Sequence, residues 1–296
     1  MVTGMDYRIL GPLELWAAGA RIPVTGARTE RILATLVLHA NRMVPVTALV
    51  EAVWEGAPPA TATRQARNCV SALRRGLVAA GVDGGVVSAD GAGYRLRVCP
   101  GELDAERFDD LVACARAADD VALAAALLRQ ALELWRGPAM DGVDSGPVAA
   151  SAARWNERRI AVWEEYIEHE LALGQHHAVL AELVPLVDRH PLRERVVAQL
   201  MTALYRAGRA SEALDLYRRT RSRLAEELGL DPGAELDRLH TLILRRDPSL
   251  DLAPGQPISS AVGQRVRGGQ PPVYADSASA IPAAPSRNPG RSGPRV

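Results

Sequence analysis

The feature that most limits this chain is a change in hydrophobic period near residue 104. Before it, short runs with strand spacing are mixed with helical ones; after it, to about residue 251, every apolar pattern repeats at helical spacing. Runs at 7–10, 13–16 and 21–24 read as strands, broken by Gly11-Pro12 and Ala18-Gly19. Helices are expected at 27–40, 47–54 and from Thr61 to Ala80, with Pro58-Pro59 closing the connection before the third. Segments 86–88 and 94–98 then flank Ala89-Asp90-Gly91-Ala92-Gly93, a hairpin with a glycine-rich tip. Strands, three helices and a hairpin are the element order of a winged helix-turn-helix.

Seven helices are expected downstream, near 105–118, 120–136, 148–173, 176–189, 192–207, 210–228 and 233–246, divided by Gly137-Pro138, Gly174, Pro191, Gly208 and Pro232-Gly233. The third is apolar on two sides, with Trp155, Val162 and Tyr166 on one stripe and Ile160, Ile167 and Leu171 roughly opposite. Such a helix sits between neighbours. Gly174 and Gly208 lie 34 residues apart, the tetratricopeptide period, and Leu204, Tyr205, Gly208, Ala213, Leu214 and Tyr217 match one such repeat. The expected architecture is mixed: an α+β winged helix-turn-helix over 1–103, then an all-α tetratricopeptide-like array over 104–252. Residues 253–296, rich in Pro, Gly, Ser, Ala and Arg, are expected to form a disordered tail because they cannot bury enough apolar surface.

Charge follows the same division. Residues 1–103 carry 11 arginines against 8 acids, and residues 104–252 carry 19 against 26. A basic head on an acidic body suits a nucleic-acid module joined to a protein-binding one. All 35 basic residues are arginine. A chain without lysine has no P-loop lysine and no Schiff-base lysine. Three cysteines without a C-x-x-C pair argue against a disulfide framework or structural zinc. The six histidines have no zinc spacing, and no nucleophile elbow or phosphate loop occurs. These readings predict a non-enzyme with no cofactor or metal. With neither a signal peptide nor a membrane-length apolar run, the expected location is the cytoplasm.

The third helix carries the candidate site. Ala62, Ala66, Cys69, Val70, Leu73 and Leu77 share one arc and are expected to face the core. Opposite lie Arg64, Asn68, Ser71 and Arg75, flanked by Arg67 and Arg74, and no acid occurs between Thr61 and Gly81. Arginine can fork onto guanine O6 and N7, and asparagine onto adenine N6 and N7. The flanking arginines and a hairpin arginine, Arg95 or Arg97, are then expected on phosphates. A solvated helix face is the plainer alternative; the missing acids and the hairpin directly downstream favour DNA.

Longer stretches carry a resemblance. YRILGPLEL (7–15), ARTERILATLVLHANRMVPVTALVEAVW (27–54), PPATATRQARNCVSALRRGL (58–77) and GAGYRL (91–96) occur in order. They are followed by FDDLVACARAADDVALAAALLRQALELWRGPAMDGV (108–143), HPLRERVVAQLMTALYRAGRASEALDLYRRTRSRL (190–224) and EELGLDPGAELDRLH (226–240). The chain resembles the Streptomyces antibiotic regulatory proteins, activators of secondary-metabolite gene clusters, in which an OmpR-type winged helix precedes a bacterial transcriptional activation domain. That resemblance implies binding to direct repeats in promoter DNA as a dimer or side-by-side pair, and recruitment of RNA polymerase holoenzyme through its sigma factor. Relatives often carry an aromatic residue and an arginine where this sequence has Cys69 and Ala72, so no consensus site is carried over. Two other readings are a repeat-type protein adaptor and a metabolite-gated regulator.

Overall fold

The computed structural model describes residues 4–251; the expectation for residues 253–296 falls outside them. Strands β1 (Met5–Arg8), β2 (Glu14–Ala17) and β3 (Ala20–Ile22) form an antiparallel meander. Helices α1 (Ala27–Leu38), α2 (Val46–Trp54) and α3 (Ala62–Ala79) follow, with a short strand β4 (Met43–Pro45) between the first two. A hairpin of β5 (Val87–Asp90) and β6 (Gly93–Leu96) completes the winged helix, and β4 joins it as the third strand, in the order β4-β6-β5.

The first strand departs from expectation through a tertiary contact, and the third ends at Ile22, before Pro23. Residues 9–10 leave the first sheet because their N–H groups donate to the Asp104 carboxylate at 2.9–3.0 Å. The sequence alone does not reveal β4, whose three residues are too few to show a period. It is aligned from outside: Asn41, at φ +63°, exchanges two hydrogen bonds with the backbone of Val98. The hairpin strands reach further into the tip than expected, leaving the two-residue turn Gly91-Ala92, and the second ends earlier, at Leu96. Gly93 has to be glycine, since a Cβ there would lie 2.0 Å from the Val44 carbonyl oxygen on β4.

The rest is helical: α4 (Asp104–Ala117), α5 (Val121–Glu133), α6 (Gly146–Ala172), α7 (His176–Arg189), α8 (Glu194–Arg206), α9 (Ala210–Leu228) and α10 (Ala234–Arg245). Successive helices pack as antiparallel neighbours, the pattern of a tetratricopeptide-like array. Both marker glycines terminate helices with φ near +77°. The turns are equivalent: Gln175 N–H reaches Glu170 O, and Arg209 N–H reaches Leu204 O, five residues back in each case. α6 is buried on both predicted stripes, with Val162, Tyr166, Ile160 and Ile167 inside, because it lies between α5, α7 and α8 on one hand and α1 and α2 on the other. Trp135, a core residue, and half-buried Trp155 pack edge-on against Phe108 at 5.6 and 6.3 Å.

The winged helix and the array share a buried seam. Leu10 O accepts from Arg136 N–H, Ile9 O from Met140 N–H and Gly11 O from Asp141 N–H, on the connection between α5 and α6. Asp104, 2% exposed, also receives the Arg136 guanidinium at 3.4 Å. Burial raises the Asp104 pKa above the ordinary carboxylate value; the backbone donors and the two nearby arginines oppose that shift without cancelling it.

Candidate nucleic-acid interface

Helix α3 is built by a strong division of its faces. Ala62, Ala66, Val70, Leu73 and Leu77 are buried against the three-helix core, with α1 and α2 as neighbours. Cys69 is only half-buried, at the edge of that arc instead of within it. Arg64, Arg67, Asn68, Ser71 and Arg75 are exposed. Among the described residues none of Arg64, Arg67 and Arg75 has an acidic partner, so three cations stand along one face. The Ser71 hydroxyl donates back to Arg67 O at 3.0 Å, which leaves its oxygen able to accept.

Arg74 departs from the outward position that the spacing suggested. It is half-buried, its Nε donates to Val87 O at 2.6 Å, and its guanidinium lies 5.5 Å from the Tyr94 ring. It therefore ties α3 to the first strand of the wing. On the wing, Arg95 is exposed but bound by Asp90, with Nε at 2.9 Å from Oδ2. Arg97 faces Asp83 at 3.7 Å. Both wing arginines are thus partly neutralised, whereas those of α3 are not.

One contributor was missed by the sequence reading. Arg28, at the start of α1, donates to Gln65 Oε1 at 2.7 Å, and Gln65 in turn donates to the Thr61 hydroxyl at 2.8 Å. The Arg28 guanidinium lies 5.4 Å from the Trp54 ring. A fourth exposed cation is held in this way beside the first turn of α3. Its partner is 37 residues away, so no local spacing could reveal the pairing.

A three-helix core with an arginine-lined third helix and a β-wing, continuous with an array of helix pairs, defines a winged-helix regulator with a helical effector module. Residues 21–96 match the family model of "Transcriptional regulatory protein, C terminal", and residues 103–244 that of the bacterial transcriptional activator domain. Over 259 residues the chain is 37% identical to the regulatory protein DnrI of Streptomyces peucetius, covering 83% of this chain and 94% of that protein. The chain belongs to the Streptomyces antibiotic regulatory protein family.

Other relatives are longer. The regulatory protein AfsR of Streptomyces coelicolor is 37% identical over 83% of this chain, which spans only 25% of AfsR. A solved structure of Mycobacterium tuberculosis EmbR, in complex with a low affinity phosphopeptide, superposes with a TM-score of 0.78 at 38% identity. That match covers 82% of this chain and 66% of the EmbR chain. These proteins are transcriptional regulators, and no described helix here is long and apolar enough to cross a membrane.

Proposed function

We propose that the chain is a pathway-specific activator that binds direct repeats in promoter DNA as a dimer or side-by-side pair. In this reading it recruits RNA polymerase holoenzyme through the sigma factor, switching on a secondary-metabolite gene cluster. The observation that carries the DNA reading is the exposed face of α3. Among the described residues Arg64, Arg67 and Arg75 have no acidic partner, their helix is free of acids, and Asn68 and Ser71 lie among them. Unpaired arginines on a convex helix suit a major groove, where they release condensed counterions and can fork onto guanine. Arg28 adds a cation beside the first turn of α3, Arg74 sets the wing relative to the helix, and Arg95, once released from Asp90, would reach a phosphate from the wing.

The array supports the recruitment reading as a helix-pair surface joined without a break to the DNA module. A metabolite-gated regulator draws less support. A hollow of about 550 Å³ beside α9 is only about half apolar in its lining, with Asp188, Arg218, Arg219, Arg223 and Glu226 around it. Pockets for small molecules are mostly apolar with few polar groups.

Gel-shift titration on a promoter fragment that the parent binds tests the assignment. Arg64→Ala and Arg75→Ala each weaken binding by roughly ten-fold, with the parental melting temperature unchanged. Affinity of the parent falls steeply with salt, and a lost phosphate contact lowers that slope by about one. Parental affinity in both variants would remove α3 from the groove.

A further inference from the structure

Helix α6 opens at Gly146 with backbone N–H groups that need acceptors. Ser145, directly before it, makes no capping bond, and its buried hydroxyl has no hydrogen-bond partner among the described residues. The acceptor comes instead from the winged helix: Gly146 N–H donates to Glu55 Oε1 at 2.9 Å. A carboxylate at a helix N-terminus also meets the positive end of the helix dipole.

Glu55 closes α2 at φ +46°, ψ +54°, the left-handed position that favours glycine at a helix end. A glutamate there keeps a backbone conformation unfavourable to it, at a point from which its carboxylate reaches α6. Beside it, Arg31 donates to Val53 O at 2.7 Å and to Asp144 at 3.3 Å, so the end of α2 and the approach to α6 are held together twice. Glu55 also begins the connection that leads into α3. The apolar packing of α1 and α2 against α6 is non-directional, whereas a charge-assisted hydrogen bond fixes an angle.

We propose that Glu55 is a positioning residue: by capping α6 from the connection between α2 and α3, it fixes the angle of the helical array to the recognition helix. The inference rests on the DNA-binding reading above. It makes Glu55 necessary for activation and dispensable for affinity.

Three variants of the full chain separate this role from folding. Glu55→Gln keeps an amide oxygen for Gly146 N–H; Glu55→Gly relaxes the left-handed backbone and removes the acceptor; Glu55→Ala removes the acceptor alone. Hydrogen exchange of the Gly146, Val148 and Ala149 amides, Pro147 having none, is expected to quicken about five-fold in the Gly and Ala variants, the scale of a lost helix cap, and to stay parental in the Gln variant. The DNA probe is a genomic fragment retained by the parent. On it, Glu55→Gly is expected to bind within about two-fold of parent, yet transcription with RNA polymerase holoenzyme falls by about three-fold or more. Parental exchange in Glu55→Gly overturns the inference, as does parental transcription at equal DNA occupancy. A matched loss of affinity and transcription overturns it too, by moving Glu55 into the DNA contact. If the parent retained no genomic fragment, the regulator reading would fail, and the exchange result alone would decide whether Glu55 holds α6.

Discussion

Asp104 illustrates how far a single residue can depart from what its sequence context suggests. It opens α4 and looks like an ordinary first-turn acid, yet it is buried and joins the two halves of the protein through the N–H groups of Ile9 and Leu10. Its pKa is raised, so the folded state holds the proton more tightly than the unfolded chain does. The sign follows: its contribution to stability is greatest below the unfolded value of about 4 and declines as pH rises through the higher folded value. Asp104→Asn lacks this titration. The stability of the parent relative to Asp104→Asn should therefore fall as pH rises from about 4, read from urea unfolding midpoints at a series of pH values. A difference that stays flat with pH, or grows, would contradict the burial account. The faces of α3 were legible at this scale because 3.6-residue spacing fixes what shares a side. The roles of Arg74 and Arg28 were not, because Val87 O and Gln65 reach them only through the tertiary fold.

Among the elements, the helices were the most legible. Their apolar spacing and punctuating glycines stand in the sequence, and Gly174 and Gly208 close turns of the same kind. Strands were legible where they alternate and illegible where they borrow order. β4 has three residues and is defined by its partner β6 and by the clasp between Asn41 and Val98. The same crowding gives a test of the wing. Gly93→Ala would place a methyl group into the Val44 carbonyl, so β4 and β6 must separate. We expect Gly93→Ala to lower stability by about 1–3 kcal/mol as an overpacked site. It should also cost DNA affinity beyond what stability explains, since Arg95 and the Tyr94 stack with Arg74 ride on the displaced strand. Equal affinity and stability to parent would show that the wing tolerates the shift.

For the whole molecule, the order of modules was legible from the change of period, whereas their joining was not. Nothing local marks Ile9–Pro12 as the segment that pairs with the α5–α6 connection, nor Glu55 as the cap of α6; both follow from chain packing across more than 90 residues. The result is one continuous core running from the first sheet through α1 and α6 into the array. In the proposed function this combined body reads promoter DNA through α3. The most direct test mixes the purified chain with sheared genomic DNA of the organism that encodes it, at moderate salt, and sequences what is retained. Enrichment of promoter fragments carrying direct repeats about one helical turn apart is the result expected. Uniform or absent retention, even at low salt, would contradict it and move the assignment to a protein-binding adaptor.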